Sequence, residues 1–108
     1  MKIGIITTNF GRLPILEIFC AGIKRLREET LLDIPVVCVG DADGAETCKS
    51  YNIEHIVHPN KPLTDKFNVA CQAFRGRVDA IMIMGSDNVI STTAFLSVVA
   101  EAEKVLTS

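Results

Sequence analysis

Apolar residues along the chain fall into two regimes, short runs that are apolar throughout and longer stretches where they recur every three or four positions. Lys2 to Thr7 is β-branched and apolar, and Pro14 follows at a place suited to the first turn of a helix. In that helix Leu16, Phe19, Cys20, Ile23 and Leu26 share one face, while Lys24, Arg25, Arg27, Glu28 and Glu29 crowd its end and opposite face. Ile34 to Val39 is nearly continuous in apolar character, as expected of a parallel strand covered on both sides, and the turn Gly40-Asp41-Ala42-Asp43-Gly44 closes it. Glu46 to Tyr51 reads as a short helix, Ile53 to Val57 as a third strand, and the segment around Pro59 and Pro62 as a rigid loop. Thr64 or Asp65 is suited to cap a helix carrying Phe67, Ala70, Cys71, Phe74 and Val78 on its inner face. Asp79 to Met84 is a fourth buried strand. Ser91 or Thr92 then caps a last helix with Phe95, Val98, Val99, Ala102 and Leu106 on one side.

The order β-α-β-α-β-α-β-α predicts an α/β domain, an open, mostly parallel four-stranded sheet with helices on both faces, Rossmann-like in architecture. Ligands of such sheets bind beyond the carboxyl ends of the strands. Those ends are polar in all four cases: Thr7-Thr8-Asn9 with Arg12 nearby, Gly40 to Gly44, His58-Pro59-Asn60-Lys61, and Gly85-Ser86-Asp87-Asn88. Each loop taken alone is also ordinary turn chemistry, so their shared edge is what points to a site.

Composition narrows the picture. The 108 residues, 48% hydrophobic, suffice for one core and one domain. The net charge of −2, with basic residues scattered, gives no electrostatic footprint for nucleic acid or an anionic membrane. No apolar run approaches the roughly 20 residues that span a bilayer, and the amino terminus lacks a signal pattern, so a cytoplasmic address is expected. The four cysteines are widely spaced and form no C-x-x-C pair. Cys20, Cys38 and Cys71 fall on apolar faces and read as core thiols, Cys48 sits in a short polar segment compatible with exposure, with no neighbouring histidine or basic cluster to lower its pKa, and a cysteine metal cluster is not anticipated. His55 and His58, three apart around a strand, point to opposite faces and do not chelate one ion together. The sequence has no P-loop, no G-x-G-x-x-G after the first strand and no G-x-S-x-G elbow. Nor does a carboxylate pair follow the first strand, as a receiver domain would need. There remain an acidic turn after strand two and the lone carboxylate Asp87 after strand four. Such oxygen donors suit magnesium or manganese completed by substrate phosphates.

The series Ile5-Ile6-Thr7-Thr8-Asn9 with Arg12-Leu13-Pro14, Val37 to Gly44, Asn60-Lys61-Pro62-Leu63 with Lys66-Phe67-Asn68, and Asp79 to Asn88 resembles the amino-terminal, nucleotide-binding half of a GT-A glycosyltransferase, nearest the family-2 type. The resemblance implies that Thr7, Thr8 and Asn9 line the nucleoside pocket and that Asp41 and Asp43 meet uracil or ribose. Arg12 is a candidate partner of the diphosphate, and Lys66 and Asn68 resemble polar residues facing the nucleotide or sugar. Asp87 matches the last carboxylate of the D-x-D motif, with Gly85 at its first position, which implies one protein carboxylate on a Mn2+ or Mg2+ ion bridging the donor diphosphate. A UDP-sugar is the favoured partner, and hexosyl transfer the implied activity of a complete enzyme. Since the sequence ends at Ser108, before the place of an acceptor-binding half, the expectation is a donor-binding domain incomplete for catalysis alone. The alternative is a non-catalytic α/β interaction module. Homo-oligomerisation fits both readings, because the edges of a short sheet invite pairing.

Overall fold

The computed structural model of the chain describes residues 2–59, 63–86 and 90–107. Its elements are β1 (Ile3–Asn9), α1 (Leu13–Thr30), β2 (Val36–Gly40), a 3-10 turn (Ala42–Gly44) running into α2 (Ala45–Ser50), β3 (Glu54–Val57), α3 (Leu63–Ala73), β4 (Ala80–Ile83) and α4 (Thr92–Thr107). The strands form one sheet in the order β3-β2-β1-β4, every pair parallel. This is the α/β, Rossmann-like arrangement that the alternation of apolar runs and helical periods predicts. Strand order reverses between β1 and β4, which opens a crevice at their carboxyl ends.

Side-chain alternation along each strand divides the core. Ile3 and Ile5 of β1 and Val36 and Cys38 of β2 pack with Leu16, Phe19, Ile23 and Leu26 of α1, Cys48 of α2 and Phe95 of α4. Ile6, Val37 and Val39 point the other way, against Ala70 of α3 and Phe74 in the turn just after it. Gly4 leaves room for that aromatic ring, since a Cβ there would lie 2.9 Å from two Phe74 ring carbons.

Element boundaries shift from the sequence pattern for local reasons. Ile34 is buried, yet β2 begins only at Val36. The Arg27 guanidinium donates to Ile34 O at 2.7 and 3.0 Å and to Tyr51 O at 2.9 Å, so the carbonyl of Ile34 is taken up outside the ladder, and Pro35 has no N–H to give. Arg27 thereby ties the end of α1 to the segments that precede β2 and β3. Helix α1 closes on Leu31, a leucine in the left-handed conformation at φ 57°. Ser91 caps α4 as expected, its Oγ accepting from Ala94 N at 3.1 Å, and the Thr92 hydroxyl donates to the Glu29 carboxylate to join α4 to α1. The side chains of Thr64 and Asp65 lie outside the described residues. No helix among the described residues is long and apolar enough to cross a membrane.

Candidate functional site

Period-two alternation carries Thr7 and Asn9 at the end of β1 toward the α1 and α4 side, and Thr8 toward the α3 side. Thr7 is 1% exposed and Asn9 4%. Burial of this kind normally requires every polar atom to be paired. Asn9 Oδ1 accepts from the buried Ser86 hydroxyl at 3.1 Å, which links the carboxyl ends of β1 and β4 across the point where strand order reverses. Thr7 Oγ1 and Asn9 Nδ2, however, are buried with no hydrogen-bond partner among the described residues. One carboxylate oxygen of Asp41 shares that condition. Asp41 precedes the 3-10 turn without capping it, and its other oxygen lies 4.0 Å from where a Cβ on Gly11 would stand, so this carboxylate adjoins the turn that leaves β1. Gly11 makes that turn possible at φ +75°.

Lys66 reaches the same end of the sheet from the α3 side. It is 5% exposed, and its ammonium lies 4.7 Å from the centre of the Phe10 ring. Its position follows from α3, where Lys66 and Ala70, with Phe74 just past the helix end, recur every fourth residue and form the buried stripe. The structure thus gathers Thr7, Thr8, Asn9, Asp41 and Lys66, with Phe10 and Ser86, around the carboxyl ends of β1 and β2. It does not gather the rest. Asn68 projects from the opposite face of α3 into an exposed hollow with Cys71, Gln72 and Arg75. Asp43 is exposed within the 3-10 turn, and Arg12 is exposed at the start of α1 without a side-chain cap bond. Asp87 lies outside the described residues, and with it the proposed Mn2+ or Mg2+ ligand.

Two cysteine expectations are corrected. Cys71 is exposed, because the buried stripe of α3 is centred on Ala70 and leaves Cys71 a quarter turn or more to the side. Cys48 is fully buried, because the 3-10 turn brings α2 in beneath α1 with its thiol inward. There it meets Cys20 of α1, Cys38 of β2 and His55 of β3. Cys38 and His55 are directly opposed in the β2–β3 register and so share a face. The ligand atoms of Cys38, Cys48 and His55 lie within 4.8 Å of one another, a grouping that the sequence discounted. Its signal was available in part: cysteine and histidine each sit at the centre of a predicted neighbouring strand. The inward turn of Cys48 was not visible. Hydrogen bonds from the Cys20 and Cys38 thiols hold Cys48 well below the usual thiol range, while the same contacts and burial push Cys20 and Cys38 up.

No protein-family model and no curated protein matches the chain. The fold and the described residues define a small Rossmann-like α/β domain with unsatisfied polar groups at the carboxyl edge of its sheet.

Proposed function

We propose that the chain binds a nucleotide-diphosphate sugar, a UDP-sugar in preference, at the carboxyl ends of β1 and β2, as the donor-binding part of a GT-A-type glycosyltransferase. The observation that carries this reading is the pair of buried, unpartnered polar groups at the end of β1, Thr7 Oγ1 and Asn9 Nδ2, beside the reversal of strand order. A protein interior tolerates such groups at a cost of about 1–3 kcal/mol each. A ligand offering complementary donors and acceptors recovers that cost on binding. A hydroxyl, an amide N–H2 and a carboxylate are the partners that a nucleoside base and ribose need. The ammonium of Lys66 on the adjoining side suits a phosphate or sugar oxygen. In this reading Asp87 holds Mn2+ or Mg2+ against the diphosphate, where the ion would offset charge on the leaving group.

Amide-resolved NMR of the folded chain tests the location. Added UDP is expected to shift the amides of Thr7 to Phe10, Asp41 and Lys66 and to leave the outer face of α4 undisturbed. Unshifted spectra at millimolar UDP, from folded protein, would contradict it and favour the interaction module. That second reading draws on the exposed apolar residues Val98, Val105 and Leu106 of α4 and Ile83 of β4.

A further inference from the structure

Four elements converge on a group of soft donors remote from the proposed donor site in chemistry. Cys20 comes from α1, Cys38 from β2, Cys48 from α2 and His55 from β3, and all three thiols are fully buried. Close-packed thiols alone are ordinary core material. Two features set this group apart. The first is that His55 Nε2 is buried with no hydrogen-bond partner among the described residues, an unusual state for an imidazole nitrogen facing thiols. The second is Gly44, where a Cβ would lie 3.3 Å from that same nitrogen and 2.9 Å from a Leu16 methyl, so any larger residue would crowd the imidazole.

We infer that Cys38, Cys48 and His55 form a binding site for a single zinc ion, with thiolate ligands from β2 and α2 and the neutral imidazole Nε2 from β3. Zinc–sulfur bonds of about 2.3 Å and zinc–nitrogen bonds of about 2.0–2.1 Å place tetrahedral ligand atoms about 3.5–3.8 Å apart. The observed atoms already lie within 4.8 Å of one another, so side-chain rotation of about an ångström closes the set. Two sulfurs and one nitrogen select zinc over magnesium or manganese, whose preferred ligands are oxygens. Binding displaces the thiol protons of the two cysteines to solvent as the sulfur–metal bonds form. Cys20 remains beside Cys48 as a third buried thiol. His55 also lines an open hollow of about 520 Å³ with Val36 and Ala45, so the imidazole lies between that hollow and the buried thiols.

The test is metal titration of the chain, stripped of metal and held in reducing buffer. Native mass spectrometry is expected to show one zinc per chain. Co2+ is expected to give the intense visible bands and sulfur charge-transfer absorption of a tetrahedral thiolate site. His55→Gln, on a half-buried strand, and Cys48→Ser are each expected to weaken zinc affinity at least a hundredfold, with circular dichroism confirming that the variant is folded. Cys71→Ser, at the exposed thiol outside the group, is expected to bind as the parent does. Sub-stoichiometric zinc on the folded parent would overturn the inference. So would an affinity unchanged in folded His55→Gln, or one that falls with Cys71→Ser.

Discussion

Thr7 carries the most informative side chain in the molecule. Its hydroxyl is buried and unpaired among the described residues, so Thr7→Val, which keeps the shape, is expected to stabilise the ligand-free chain by about 1 kcal/mol in urea unfolding. The same substitution is expected to weaken UDP binding about tenfold or more, equivalent to about 1.4 kcal/mol. A hydroxyl with a purely structural role would give the opposite sign in the first measurement and no change in the second. Arg27 shows the reverse case, a half-buried polar group whose partners are all in place. Its three hydrogen bonds to Ile34 O and Tyr51 O join α1 to the entrances of β2 and β3. Arg27→Met leaves those carbonyls without their donor and is expected to cost about 2–3 kcal/mol, read as a lower urea midpoint with unchanged slope. From sequence the same arginine belongs to the charged end of an amphipathic helix, and nothing in the pattern marks it as the group that delays β2 by two residues. Thr7, Asn9 and Asp41 were legible as strand-end residues because the strand pattern fixes where the edge falls. Whether their polar atoms would be paired was not, since that depends on which loops return to the edge.

At the level of elements, strand and helix identity followed directly from hydrophobic period, although only β1 and β2 are covered on both faces: β4, expected to be buried, spans Ala80–Ile83 at the sheet edge with Ile81 and Ile83 exposed. Helix faces were read less well. Cys71 and Asn68 fall outside the buried stripe of α3, which is set by Lys66, Ala70 and Phe74, and a lysine in a buried stripe is invisible to an apolar count. The α2 region misled for a related reason: Asp41 to Gly44 has turn composition, yet it winds as a 3-10 turn directly into the helix and rotates Cys48 inward. Capping yields a prediction of its own. Leu31 ends α1 at φ 57° while 88% exposed, so its side chain contributes little packing to offset the unfavourable backbone. Leu31→Gly is expected to raise stability by about 1 kcal/mol, measured by thermal or urea unfolding, and a loss of stability would show that the leucine is held by contacts outside its own helix. Gly40 is the converse case, where a Cβ would stand 2.0 Å from Asn9 O across the β1–β2 ladder. Gly40→Ala is expected to destabilise the chain by about 1–3 kcal/mol and to disturb UDP binding, because it displaces the backbone that carries Asn9.

Over the whole molecule, two clusters of polar or soft donors sit in different places and call for different chemistry. Oxygen and nitrogen groups gather at the carboxyl ends of β1 and β2, beside the point between β1 and β4 where strand order reverses, while sulfur and imidazole groups gather between β2, β3, α1 and α2. The first is proposed for a nucleotide and the second for a zinc ion, and the two are tested with separate ligands. Calorimetric titration of the folded chain with UDP, and with GDP as the control, in the presence and absence of manganese, tests the first most directly when repeated on Thr7→Val and Asp87→Ala. The account predicts manganese-dependent heat with UDP, reduced about tenfold in affinity by Thr7→Val and abolished by Asp87→Ala. Absence of heat with either nucleotide, or UDP binding that neither substitution alters, would contradict it.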